Sequence, residues 1–400
     1  MNDFLKLQKE FSNELTDNIL NYWIKKVYDP HRKTFIGVID ENEKPDPEAP
    51  LGVVLISRIL WTFSAAYHLY PTAIYKKMAD EAWEILTSNF WDNENGGVYW
   101  SVSPSGKPVD DSKQFYAQAF ALYAMAEYSR IFDLKNPKQL AVSLFHLIEK
   151  YALDPVHGGY TEARAKNWES PARDFITPRN EPEIKKSMNT HLHILEAYSN
   201  LYRICPQEDV GARIVSILEV FRKYIINAKN FHFHMFFDME WNTKTTAISY
   251  GHDIEGTWLL HEAAEVIGQK EVMEKIEPLL LKMAEAVGNE ALDKSGGLYN
   301  ESDGEHWDRN FHWWPQAEAV VGFFNAFQLT GDRKYLGWSE NAWKFIQKYQ
   351  IDHKHGEWFG LITPEYAVRP MDKVSAWKCP YHNGRMCLEM IRRLEKYSKT

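Results

Sequence analysis

The feature that most constrains this chain is a repeat. Starts of one class of helix fall near Ser57, Tyr116, Asn189, His252, Pro315 and His382, with separations of 59, 73, 63, 63 and 67 residues. Each unit supplies one helix rich in small residues, such as Ala119, Ala121 and Ala124 or Ala317 and Ala319, and one more amphipathic partner. Apolar spacing predicts the pairs 56–69 with 74–90, 115–132 with 137–151, 189–202 with 210–226, 253–267 with 274–287, and 316–329 with 335–349. A last helix covers 384–396. Near the N-terminus Leu5, Phe11, Leu15, Ile19, Leu20 and Trp23 recur at helical spacing and can supply its partner. Gly-bearing turns at 92–100, 154–160, 293–299 and 352–358 punctuate the pairs as short hairpins. Residues 28–50 read as a long loop with a hairpin around 35–39, and 231–238 as an extended ribbon. A self-similar period means stacked units, and six helix pairs bury both flanks by closing on themselves. The prediction is an all-α (α/α)6 barrel with short β-hairpins in its loops, one domain over 1–400. An open solenoid is the alternative, but no terminal repeat reads as a polar cap.

Composition narrows the partners. Fifteen Trp and 21 Tyr contribute to an aromatic share of 14%. Flat rings with polar tips suit stacking on sugars as well as helical cores. The net charge is −9, with Lys and Arg dispersed, which argues against nucleic acid and anionic membrane surfaces. Residues 1–8 contain no apolar signal core, and no run approaches 18 apolar residues, so a cytoplasmic protein is expected. Cys205, Cys379 and Cys387 form neither a disulfide framework nor a C-x-x-C site, and Cys379 reads as a small packing residue. A monomer is expected, because a closed barrel needs no partner to bury its core.

In such a barrel the six inner-helix starts converge at one end, and chemistry belongs there. The starts carry Arg58; Tyr116 and Gln118; Asn189, His191 and His193; His252, Asp253 and Glu255; Trp313, Trp314, Gln316 and Glu318; and Trp377, Tyr381, His382, Asn383 and Arg385. Any one His here reads as a core or capping side chain. Histidine at three equivalent positions points to proton transfer near neutral pH. Two facing imidazoles can take a proton from one side of a carbon and return one to the other, while Arg58 steadies a developing oxyanion. Glu255, three residues after His252, can share its helix face and orient an imidazole. Metal binding is poorly supported, since Asn189-x-His191-x-His193 places alternate residues apart on a helix. His252–Asp253 and His232-x-His234 are no more specific, and no H-E-x-x-H occurs. No G-x-G-x-x-G or P-loop is present. No catalytic metal and no tightly bound nucleotide is therefore expected. A glycoside hydrolase would need two carboxylates, for which Asp253, Glu255 and Glu318 are available. A sugar-binding ring without catalysis is the third reading.

Four blocks resemble the N-acylglucosamine 2-epimerase superfamily and, within it, the cellobiose 2-epimerases. They are Met188-Asn-Thr-His-Leu-His193, Ser249-Tyr-Gly-His-Asp-Ile-Glu255, Trp313-Trp-Pro-Gln-Ala-Glu-Ala319 and Trp377-Lys-Cys-Pro-Tyr-His-Asn-Gly-Arg385. Ser57-Arg-Ile-Leu-Trp61 fits a fifth. The resemblance runs from about residue 50 to the end. It implies the same barrel and inversion at carbon 2 of a reducing-end sugar, with cellobiose, lactose or another β-1,4-linked disaccharide as substrate and no cofactor. Mannose 2-epimerases carry similar motifs. By resemblance His252 and His382 are the acid/base pair, His193 assists ring opening, and Arg58 binds the oxyanion. Asn189 and Glu255 support the sugar and the imidazoles. Trp314 lies against the reacting ring, and Trp377 is a shelf for the second sugar. Tyr116 and Glu318 complete the sugar-binding set. Slow aldose–ketose isomerisation is expected as a side reaction.

Overall fold

A computed structural model describes residues 3–169 and 183–398. The small-residue helices are the inner ring. They are α2 (Val53–Leu69), α4 (Phe115–Phe132), α6 (Met188–Ile204), α8 (Tyr250–Ile267), α10 (Trp313–Thr330) and α12 (Tyr381–Ser398). Every residue of α2 from Val53 to Ala66 is buried, as is every residue of α4 from Phe115 to Ser129. A helix covered on all sides cannot be amphipathic, which is why apolar and small side chains surround these axes. The outer helices bury one face each. They are α1 (Asp3–Asn13), α3 (Ala73–Ile85), α5 (Lys135–Tyr151), α7 (Glu208–Val220), α9 (Lys270–Glu290) and α11 (Arg333–Phe345). Four of them, α1, α3, α7 and α11, run on into a wider π-type segment, at Glu14–Leu20, Leu86–Phe90, Phe221–Ile225 and Ile346–Gln350.

Each inner helix packs on the next, and α12 packs on α2, so the ring closes as an (α/α)6 barrel. The N-terminal α1 pairs with α12 as its outer partner. Indole N–H groups of the α10–α11 repeat tie the N-terminal segment to the ring from the other side. Trp358 Nε1 donates to Glu14 at 2.7 Å and Trp343 Nε1 to Glu10 at 2.9 Å.

Two-residue strands lead into five of the six inner helices, all but α12. Each pairs antiparallel with a strand from the loop that follows the outer helix of the same repeat. Leu51–Gly52 pairs with Ser101–Val102, Lys113–Gln114 with Ala163–Arg164, and Lys186–Ser187 with Phe236–Phe237. Ile248–Ser249 pairs with Glu301–Ser302, and Phe311–His312 with Leu361–Ile362. Side chains from four inner helices clamp the corresponding loop of the preceding repeat. Gln118 accepts from Val98 N at 2.8 Å and donates back to Val98 O at 2.8 Å, and Gln316 treats Leu298 in the same way. His191 Nε2 accepts from Tyr160 N at 2.8 Å, and Asp253 accepts from Phe233 N at 2.8 Å. Gly159, at φ +75°, makes room for this. A Cβ there would lie 2.6 Å from His191 Nε2.

Three local expectations need correction. The first inner helix begins at Val53, four residues before Ser57. The 231–238 ribbon is strand only at Phe236–Phe237, because His232 turns inward to Asp253 and Phe231 adopts a left-handed φ of 60°. The loop 28–50 holds two hairpins, Tyr28–Asp29 with Thr34–Phe35 and Val38–Ile39 with Pro45–Asp46, in place of one at 35–39. All three cysteines are buried and free. Among the described residues no helix is long and apolar enough to cross a membrane.

Candidate active site

At the end of the barrel where the inner helices begin lies a cavity of about 190 Å³. Arg58, Tyr116, Asn189, His193, His252, Glu255, Trp314, Trp377 and His382 line it, together with Trp313. Helical geometry explains this convergence. Two residues beyond each clamping side chain, the next position on the ring-facing side carries Phe120, His193, Glu255 and Glu318. Arg58 and Arg385 complete this level from the first and last inner helices.

The imidazoles are held differently. His382 Nδ1 lies 2.7 Å from Glu318 Oε1. A carboxylate only accepts, so Nδ1 carries the proton and Nε2 is left with a lone pair. His193 Nδ1 meets Glu196 Oε2 at 2.9 Å in the same manner. His252 Nδ1 instead meets the Ser249 hydroxyl at 2.8 Å, a partner that can donate or accept. Burial pushes His252 down to about 3. Burial likewise holds His382 well below the ordinary imidazole value, helped by Arg58 and Arg385, and it lowers His193. Near pH 7 all three are neutral and able to accept a proton.

Trp314 lies against both outer imidazoles, with ring centroids 4.6 Å from His252 and 5.6 Å from His382. Gly251 permits this approach, since a Cβ there would stand 2.6 Å from Cη2 of Trp314. Arg58 donates to the Tyr116 hydroxyl at 2.9 Å and lies over the Phe120 ring at 4.3 Å. Asn189 Oδ1 and Trp313 Nε1 are buried without a hydrogen-bond partner among the described residues. Such atoms are costly to leave unpaired, and both belong to residues of the cavity wall. Trp377 is 40% exposed at the mouth, beside Trp100 and Tyr116.

Two placements differ from expectation. Glu318, counted with the sugar-binding residues, is not on the cavity wall. It stands behind His382 and also accepts from Trp258 Nε1 at 3.0 Å and Arg385 Nη2 at 2.7 Å. Glu255 approaches His382, at 4.0 Å from Nδ1, and makes no hydrogen bond to His252 on its own helix. Glu255, Glu318 and His382 bring ligand-type atoms within 4.8 Å of one another. The Arg385 guanidinium already bonds both carboxylates, which makes this an ion-pair cluster and not a cation cage.

Residues 34–385 match the family N-acylglucosamine 2-epimerase (GlcNAc 2-epimerase). The chain belongs to this family. It is 42% identical over 388 residues to the cellobiose 2-epimerase of Bacteroides fragilis, covering 96% of this chain and 98% of that one. To the cellobiose 2-epimerase of Dictyoglomus turgidum it is 39% identical, covering 98% and 100%. The solved cellobiose 2-epimerase from Bacillus thermoamylovorans B4167 superposes with a TM-score of 0.93 at 34% identity, covering 97% and 99%. The protein is thus a carbohydrate 2-epimerase, an isomerase of the N-acylglucosamine 2-epimerase family.

Sequence spacing does not single out Glu196, Ser249 or Trp258 in this epimerase. Glu196 follows His193 by three residues and Ser249 precedes His252 by three, so helical i, i+3 spacing was the available signal for both. Trp100, beside Trp377, carries none.

Proposed function

We propose that this epimerase inverts carbon 2 of the reducing-end sugar of β-1,4-linked disaccharides, taking cellobiose to 4-O-β-glucosyl-mannose and lactose to epilactose. The observation that carries the reading is the pair His252 and His382, both on the cavity wall, both neutral, and both packed on Trp314. A pyranose has no acidic hydrogen at carbon 2, so the ring opens first, with His193 assisting. In the open aldehyde the carbon-2 hydrogen is removable, because the electron pair it leaves spreads onto the carbonyl oxygen. One imidazole takes that proton, giving a cis-enediol, and Arg58 is the cation available to the oxygen. The other imidazole, charged by a proton taken from solvent at the cavity mouth, returns it to the opposite face while the first gives its proton up to solvent, and reversal exchanges the roles. Glu318 behind His382 fixes its tautomer and stabilises the imidazolium it becomes. Proton return to carbon 1 instead gives a ketose, the expected slow side product. The proposed steps use no metal or organic cofactor.

Trp377 favours a disaccharide over free mannose or glucose, because its half-open ring lies at the mouth, outside the imidazole pair. A glycoside hydrolase is less well supported. It needs two carboxylates at the scissile bond, whereas among the described residues Glu255 is the only carboxylate on the cavity wall. The closed ring, with α1 over α12, favours a monomer, which sedimentation can check.

Incubation with cellobiose in deuterated water, after chelator treatment, tests the reading. Glucosyl-mannose with deuterium at carbon 2 is expected. Free glucose would indicate hydrolysis, and unlabelled, unchanged cellobiose would sink the proposal.

A further inference from the structure

Three carboxylates meet one guanidinium beneath the cavity. Arg385 donates from Nη1 to Glu196 at 2.5 Å, and from Nη2 to Glu255 at 2.5 Å and Glu318 at 2.7 Å. The three differ in how many donors reach them. Glu196 accepts from His193 Nδ1, the Tyr381 hydroxyl and Arg385. Glu318 accepts from His382 Nδ1, Trp258 Nε1 and Arg385. Among the described residues, the only donor to Glu255 is Arg385, and it bonds Oε1.

Donors to the ionised form are what keep a buried carboxylate charged. Burial raises Glu318 as well as Glu255, but Glu196 and Glu318 each have three donors against one for Glu255, so they are the two that hold the negative charge. Ionising Glu255 as well would set a third negative charge within 4.8 Å of Glu318, in a residue only 1% exposed. Two carboxylates that close do not both ionise readily. With Glu255 neutral, two carboxylates face the two cations Arg58 and Arg385, and the site is balanced. Glu255 is also the one member of the three on the cavity wall.

We propose that Glu255 is the neutral carboxylic acid of this site and passes its proton to the ring oxygen of the bound sugar as the ring opens. This rests on the epimerase reading above. The bond between carbon 1 and the ring oxygen breaks, its electron pair stays on that oxygen, and the oxygen takes the proton of Glu255. The electron pair of the carbon-1 hydroxyl O–H becomes the second bond of the aldehyde, and its proton goes to Nε2 of His193. Nε2 is free because Nδ1 is turned to Glu196. Each new charge then has its partner in place. The Glu255 carboxylate has Arg385, and the His193 imidazolium has Glu196. Ring closure runs the same transfers backwards and restores both groups. Burial, first, and the charge of Glu318, second, push the Glu255 carboxyl up, in the direction this role requires.

Infrared difference spectroscopy on the whole protein at neutral pH tests the proton itself. Wild type minus Glu255→Gln should show the deuterium-sensitive carbonyl stretch of a protonated carboxyl. A difference containing only carboxylate bands overturns the proposal, whatever the activity. If Glu255→Gln does not fold, Glu255→Asp decides. Its carbonyl band must move to the aspartic acid frequency, and an unmoved spectrum overturns the proposal equally. Kinetics test the ring-opening step. Glu255→Gln keeps size and a donor but has no proton to give, so kcat on cellobiose should fall by about 10²–10⁴-fold. With opening now limiting, the isotope effect of 2-deuterated cellobiose on kcat should collapse to unity, and Glu255→Asp should recover part of the rate. An isotope effect that persists in Glu255→Gln assigns the residue to carbon-2 chemistry and overturns the step proposed here. If wild type does not turn over cellobiose, the functional reading fails, while the infrared result still reports the proton.

Discussion

At the residue scale, neighbouring side chains of one helix divide into structural and chemical members. His191 and His193 differ by one helical half-turn. His191 is spent on backbone, accepting from Tyr160 N and donating to Ser187 O, while His193 reaches the cavity. His382 carries the sharpest expectation. His382→Ala should lower deuterium exchange at carbon 2 of cellobiose by about 10²–10⁴-fold, with circular dichroism and thermal midpoint close to wild type, because one face of its ring already borders the open cavity. Exchange at the wild-type rate would remove His382 from the mechanism. Trp377 tests substrate length. Trp377→Ala should raise KM for cellobiose about tenfold, the equivalent of about 1.4 kcal/mol of lost stacking. Turnover of free mannose should change little, which steady-state assays with both sugars will show.

At the element scale, four inner helices are fixed to the loops of the preceding repeats by clamps that share one position but not one chemistry. Gln118 and Gln316 use an amide where α6 uses His191. Burial pushes His191 down to about 4. The unfolded chain takes a proton near 6.5 that the folded chain refuses. Stability from this group is therefore complete above pH 6.5 and lost as pH falls toward 4, a loss on the order of 3 kcal/mol. His191→Gln should mimic the neighbouring repeats. Denaturant titrations should find it close to wild type at pH 7 and less acid-sensitive between pH 6.5 and 4. An unchanged acid limb would count against this assignment. The clamps were half legible in sequence. Their residues stood out at the helix starts, but Gln118, Gln316 and Asp253 carried no sign that their partners were loop amides.

At the scale of the whole molecule, the N-terminal segment is tied to the α10–α11 repeat as well as to α12. Glu14 accepts from Trp358 Nε1 across that contact. Burial pushes the Glu14 carboxyl up to about 7, despite the hydrogen bonds from Trp358 and Asn18. Its folded pKa exceeds its unfolded one, so the stability it brings is complete below about pH 4.5 and lost as pH rises through 7. Glu14→Gln keeps the acceptor for Trp358 and removes the charge. Its thermal midpoint should exceed wild type at pH 8 and match it at pH 5, and scanning calorimetry at the two values decides.

The sequence by itself determined the helix-pair period, the inner and outer character of each helix, and the pairing of the N-terminal helix with the last one. These follow from apolar and small-residue spacing, which is a local property of the chain. It also placed Arg58, Tyr116, Asn189, His193, His252, Glu255, Trp314, Trp377 and His382 at helix starts that share a cavity. Only the tertiary structure decided which carboxylate serves which imidazole. The partner of His382 is Glu318, 64 residues away, and the Arg385–Glu255 pair spans 130 residues. Helical periodicity fixes the direction of a side chain around its own axis. It says nothing about the rotation and height of the next helix, and that offset moved Glu318 off the cavity wall to stand behind His382.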